Sequence, residues 1–208
     1  MTFRRATATT PTCGGFFVQE EDADADGDPA TSEGVFVFAP GAPDVRVGDV
    51  VRIEGDANEF SGMTQLSNTT LLACDTAVTL PTATEIALPL ESLDALEAFE
   101  GMVVTFPQEL FIAEFFDFDR FGEIVLAAPL DVSPAASGRH YQPTSYVTSE
   151  PNALGRARRP IALNRITLDD GRTTQNPEAP RHPNGKPFSL TNRFRGGDTV
   201  TDYDRRPP

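Results

Sequence analysis

The sequence predicts an all-β protein, a small barrel followed by a second β-rich region with one short helix, and three observations lead there. Its 18 Pro and 16 Gly are spread along 208 residues instead of gathering in one linker, so the chain is punctuated into short segments. Its 15 Phe, with many Val and Thr, suit pleated, half-buried surfaces. Its apolar runs are short and closely spaced, the pattern of strands joined by hairpins.

Taken in order, GGFFVQ (14–19) and GVFVF (34–38) read as strands on either side of an acidic loop. After the APGAP turn (39–43) comes VRVGDVVRIEGDANEF (45–60), where Val45, Val47, Val50 and Ile53 flank a turn at Gly48 and Asp49. TQLSNTTLLAC (64–74) supplies the last strand or two of the barrel, and a Pro- and Thr-rich connector (75–90) follows. ESLDALEAFEG (91–101) is the expected helix: Ser92 caps it, Leu93, Leu96 and Phe99 recur along it, and Gly101 ends it. Strand patterns return in MVVTF (102–106), ELFIAEFF (109–116), GEIVLAA (122–128), IALNRITLDDG (161–171) and FRGGDTVTDY (194–203), with 129–160 loop-like. The expected domains are 1–80 for the barrel and 90–208 for the second region. Residues 1–13, rich in Thr, Arg and Pro, read poorly as the first strand of the barrel.

Charge is uneven. Residues 1–100 carry 18 acids against 4 bases, whereas 101–208 carry 13 of each. An acidic front half repels a phosphate backbone at long range, which excludes tight nonspecific nucleic-acid binding there. No apolar stretch approaches the roughly 20 residues needed to cross a bilayer, and Arg4 and Arg5 are followed by no apolar signal-peptide core. Cys13 and Cys74 form one disulfide or stand as two independent thiols; sequence alone leaves both open.

Asp22, Asp24, Asp26, Gly27 and Glu33 match the calcium-loop spacing D-x-[DN]-x-[DN]-G-x5-E, with Asp28 at the seventh position. In such a loop alternate carboxylates turn inward around a hard cation and the Gly allows the bend. A Ca²⁺ site is one reading. A solvated acidic turn is the other, because this loop joins strands and not helices. Catalytic groups are not expected: the two histidines, His140 and His182, lie in Pro-rich, loop-like settings, and no Gly-x-Ser-x-Gly elbow occurs. For nucleic acid, Phe16, Phe17, Phe36 and Phe38 form a possible stacking platform, of which alternation sends about half into the core. Arg156, Arg158, Arg159 and Arg165 make a basic cluster that either contacts nucleic acid or packs against another domain.

The runs GFFVQEEDADADGDPATSEGVFVF (15–38) and VRVGDVVRIEGDANEFSGMTQLSN (45–68) resemble the OB-like domain of large secreted bacterial endonucleases of the ExeM/NucH kind, and that of the YhcR-type nucleases. The resemblance continues through LEAFEGMVVTFPQELFI (96–112), DRFGEIVLA (119–127), NRITLDDG (164–171), QNP (175–177) and RGGDTV (195–200). It implies an OB-like small barrel and a β-rich accessory region, extracellular, that positions a catalytic nuclease domain using Mg²⁺ or another divalent metal. The first barrel strand of that family is not matched, and its catalytic region is expected beyond RGGDTV, so the sequence reads as a fragment or frameshift product. A free-standing acidic, calcium-dependent binding module unrelated to nucleases is the alternative.

Overall fold

The computed structural model describes residues 2–12, 14–41, 45–76, 80–130, 140–148, 150–172 and 174–200, with the backbone alone described for 2–12 and 73–76. The chain is strand-rich with little helix, as its composition predicted. It divides into two compact units: Met1–Glu85 with Asp94–Thr105, and Ile86–Leu93 with Phe106–Pro208.

The first unit is built on β1 (Thr2–Thr12), β2 (Gly15–Gln19), β3 (Gly34–Phe38), β4 (Asp49–Phe60) and β5 (Met63–Thr76). They pair in the cyclic order β1-β2-β3-β5-β4, and β4 returns to β1. All these pairings are antiparallel except β3 with β5, which is parallel and spans only Phe36↔Gln65 and Val37↔Leu66. The segment expected to be a missing or atypical first strand is a strand here. Residues 2–12 form β1 and pair along both edges, because ladder bonds come from the backbone and tolerate Thr and Arg side chains. Pro11, near the end of β1, is paired only with Phe16 of β2, and a proline near a strand end costs little of the ladder.

Strand alternation explains the core. Phe16 and Val18, Val35 and Val37, Val51 and Ile53, and Leu66 all point inward and are buried together. Burying each side chain of this size contributes roughly 1.5–3 kcal/mol. A register shift between Val50 and Val51 breaks the alternation and lets both be buried. The turn expected at Gly48 and Asp49 is present and leads into one long strand, β4, and 63–76 is likewise one strand.

A second layer of contacts returns to this unit from later in the chain. The segment expected as an α-helix is a 3-10 helix, Leu93–Phe99, with no residue fully buried. Leu93, Leu96 and Phe99 are spaced by three, which lines them up at three residues per turn and not at 3.6. Beyond it, β7 (Val104–Thr105) pairs in parallel with β6 (Thr84–Glu85). The Ser32 hydroxyl donates to the Glu100 carbonyl, the Glu100 carboxylate accepts from the Thr64 amide at 3.2 Å, and buried Gln19 accepts from the Val103 amide at 2.8 Å. Residues 94–105, expected to open the second region, thus lie in the first unit.

The second unit contains a four-stranded sheet of order β10-β9-β8-β11, formed by β8 (Leu110–Glu114), β9 (Ile124–Ala127), β10 (Ile166–Leu168) and β11 (Thr199–Val200). Every residue of β9 is buried, so both faces of this inner strand are covered. Two α-helices belong here: the single turn α1 (Phe118–Phe121) and α2 (Ala153–Leu163). The one-helix expectation is therefore corrected, and so is the strand expected over 161–171, which shrinks to β10. Gly155 and Pro160 hide α2 from a propensity reading. Its apolar positions Ala153, Ala157, Pro160 and Ile161 nevertheless recur at helical spacing.

Gly34 has no room for a side chain: a Cβ there would meet the Gly101 carbonyl carbon at 2.4 Å and the Met102 nitrogen at 2.7 Å. Gly34→Ala is expected to destabilise the first unit by about 1–3 kcal/mol, the cost of overpacking against backbone. Gly155→Ala, where a Cβ meets nothing within 4 Å, should stabilise α2 by about 0.5–1 kcal/mol. Chemical denaturation of the two variants checks both signs.

Candidate functional site

The acidic loop between β2 and β3 is ordered by its own carboxylates. The Asp26 Oδ1 accepts from the Asp28 amide at 2.7 Å, the Asp28 Oδ1 from the Ala30 amide at 2.9 Å, and the Glu33 Oε1 from the Asp26 amide at 3.0 Å. The Thr31 hydroxyl donates to Asp26, and Gly27 takes the left-handed conformation (φ 73°) that the bend requires. These are turns in which short acidic side chains bond backbone amides two residues on. Asp22 lies outside that set. Both its oxygens are taken by Thr82, through the amide at 2.8 Å and the hydroxyl.

The electrostatics follow. The Thr82 hydroxyl and amide hold the Asp22 carboxyl below its usual range, and the Asp28 amide does the same for Asp26. Glu20, at the base of the loop, is pushed up by partial burial and then by Glu33, Asp24 and Asp26. Of the five expected ligands, the structure links Asp26, Asp28 and Glu33 through the loop backbone, leaves Asp24 exposed, and holds Asp22 against Thr82. The donors are all oxygen, as Ca²⁺ requires. Among the described residues, however, no group of three or more His, Cys, Asp or Glu is arranged to hold a metal ion.

The four arginines divide: Arg156 and Arg159, three residues apart on α2, share a helix face, while Arg158 and Arg165 lie elsewhere. Arg156, Arg158 and Arg159 are exposed on α2, but at 100° per residue Arg158 points away from Arg156. Arg156 lies 3.9 Å from Glu150, and Arg165, beyond the helix, lies 3.3 Å from Glu114 of β8. Such exposed pairs contribute at most about 1 kcal/mol.

On the first unit's surface, alternation divides the four phenylalanines. Phe16 is buried and Phe38 is exposed, while Phe17 and Phe36 are cross-strand partners with ring centroids 5.1 Å apart. The pairing of Cys13 with Cys74 lies outside the described side chains.

The histidines have structural neighbours. His182 packs against Phe188 and Phe194, in a cluster with Phe118, and its Nδ1 accepts the Asn184 amide. His140 meets the Phe111 ring edge-on and lies 2.9 Å, Nε2 to Nδ2, from Asn164, which is fully buried. The same Asn164 amide nitrogen donates to the Ala128 carbonyl. An oxygen could not stand there, so Nδ2 is also the donor to His140, and the imidazole proton resides on Nδ1. Sequence reasoning missed this arrangement because Asn164 is 24 residues from His140 in the chain.

No family model, curated protein or solved structure matches this chain. No helix among the described residues is long and apolar enough to cross a membrane.

Burial, and then Arg165, hold His140 below the usual imidazole value. The unfolded chain takes up a proton at this ring below about pH 6.5, whereas the folded protein resists it. Stability should therefore fall as pH drops from about 6.5 toward the lowered folded value, and this ring contributes no slope above that window. Melting curves between neutral and mildly acidic pH test this: His140→Gln should lose that part of the slope, and an unchanged slope would remove His140 as its source.

Proposed function

We propose that this chain is a non-catalytic, OB-type accessory region of a secreted bacterial nuclease, serving a separate catalytic domain by positioning it and helping to hold its nucleic-acid substrate. The observation that carries the reading is the cyclic pairing order β1-β2-β3-β5-β4 with its parallel β3–β5 link, which matches a five-stranded Greek-key barrel of the OB type. The family-like segments support it as well, because they meet in space. Gly122 of DRFGEIVLA lies against Asp170 of NRITLDDG, so closely that a Cβ would come 2.5 Å from the Asp170 carboxyl carbon. Gly197 and Asp198 of RGGDTV exchange backbone hydrogen bonds with Ile112, at 2.7 and 3.0 Å.

The outward pair Phe17 and Phe36, with exposed Phe38, lies on the strands that OB barrels use for single strands. Arg46 and Arg52 are the only bases between residues 6 and 100, so a strand held there would rely on stacking more than on charge. Ca²⁺ binding by the acidic loop rests on the spacing of Asp22, Asp24, Asp26, Asp28 and Glu33, and it requires Asp22 to exchange Thr82 for the ion.

Two measurements test these readings. The purified chain, incubated with plasmid and with RNA in Mg²⁺, Mn²⁺ and Ca²⁺, is expected to cleave neither. Cleavage that survives repurification and disappears on substituting a residue of this chain would overturn the non-catalytic reading. Millimolar Ca²⁺ is expected to raise the melting temperature, and Asp24→Asn with Glu33→Gln should abolish the rise; an unshifted wild-type transition ends the calcium reading.

A further inference from the structure

The second unit contains a cavity of about 150 Å³ between α2 and residues 140–146. It is lined by Ala157, Pro160 and Ile161 of α2 and by His140, Tyr141 and Tyr146. Arg156 also lines it, with its side chain 66% exposed and a loose 3.9 Å contact with Glu150 as its ion pair among the described residues. An apolar cavity of roughly this volume holds one benzene-sized ring, so the site suits a single flat ring and not a larger ligand.

The polar groups around it are mostly donors. Asn164 occupies the Nε2 of His140, which leaves Nδ1–H as the ring's donor. Arg156 is a permanent cation that donates only, and the two tyrosines present hydroxyls beside aromatic faces. Pro160 contributes no backbone N–H, so its ring adds apolar surface to the lining. A ligand matched to this set has a planar ring with acceptor atoms on its edge and an anionic group one arm's length away.

We infer that this cavity is a subsite for one unstacked nucleotide, the base lying between the tyrosine and histidine rings and the phosphate meeting Arg156. The inference rests on the proposed nucleic-acid role and adds a location and a specificity to it. A base paired within a duplex is stacked on both faces and cannot enter. The occupant is therefore a free nucleoside monophosphate or a nucleotide of a single strand, which share the same chemistry.

The test uses the full chain, isotope-labelled for amide NMR, titrated separately with thymidine 5′-monophosphate, whose base is a single ring, a short oligothymidylate and a blunt duplex. The oligothymidylate is expected to shift amides of residues 140–146 and 153–161, and the duplex to leave them unmoved. Tyr146→Ala and Arg156→Ala should each weaken binding by roughly five- to a hundredfold, the range that one base–aromatic stack carries. Lys186→Ala, a charge-matched change away from the cavity, should have little effect. Shifts with both single-stranded ligands place the subsite on a strand; shifts with the monophosphate alone assign a free nucleotide, and either supports the inference. Strand binding that ignores Tyr146→Ala and Arg156→Ala, or that Lys186→Ala weakens equally, overturns the subsite while the nucleic-acid role stands. An absence of shifts anywhere with millimolar ligand overturns both.

Discussion

The ring of strands in the first unit depends on β1, because one strand supplies the missing backbone partner for two others. Its residues 7–12 pair with β2 and residues 2–7 pair with β4, and a register irregularity on each side lets one strand serve both. Without it, β2 and β4 would each present a row of unpaired amides and carbonyls, which is costly when buried and adhesive when exposed. The opposite seam, β3 against β5, consists of only two residue pairs. It is there that the returning segment contributes most. Glu100 accepts the Thr64 amide next to the seam, while Ser32 and Gly34, at the start of β3, meet the backbone of Glu100 and Gly101. A side-chain carboxylate thus does for the end of β5 what a neighbouring strand would otherwise do.

That bracing also accounts for how the acidic loop is held. The loop starts and ends on the hairpin of β2 and β3, where the Glu20 amide donates to the Glu33 carbonyl at 3.0 Å. Its carboxylates then divide between two tasks: capping backbone amides within the loop, and fixing Thr82 through Asp22. Neither task takes these carboxylates fully out of water. The loop can therefore keep a high charge density without the desolvation cost that would force protonation deeper in the fold. Glu20, partly buried at the base of the loop, has a raised proton affinity.

In the second unit, packing explains several residue pairs that are distant in sequence. Gly122 is small because the Asp170 carboxyl group lies over it, and Gly197 and Asp198 turn where they can bond Ile112. Asn164, directly after α2, reaches Ala128 and His140 with one amide nitrogen, tying the end of the helix to the end of β9 and to the cavity wall. The aromatic cluster of Phe118, Phe188 and Phe194 holds a Pro-rich segment to α1 where regular secondary structure is sparse. Each edge-to-face contact of this kind adds about 0.5–1.5 kcal/mol beyond burial.

By itself, the sequence determined the strand-rich character of the chain and the strands on either side of the acidic loop, because strand alternation has a period of two and is written in neighbouring residues; which half of their phenylalanines turns inward came from the fold. It also located the acidic loop and its bend at Gly27. Tertiary structure decided what depends on distant partners. Thr2–Thr12 is a strand because β2 and β4 offer it backbone on both edges, although its side chains advertise little. Ala153–Leu163 is a helix because its apolar positions find a surface to cover, against the preferences of Gly155 and Pro160. Of the arginines on α2, the turn of 100° per residue keeps Arg156 and Arg159 on one face and sends Arg158 to another. His140 acquires its tautomer and its lowered proton affinity from Asn164, burial and Arg165, none of which a local pattern could reveal.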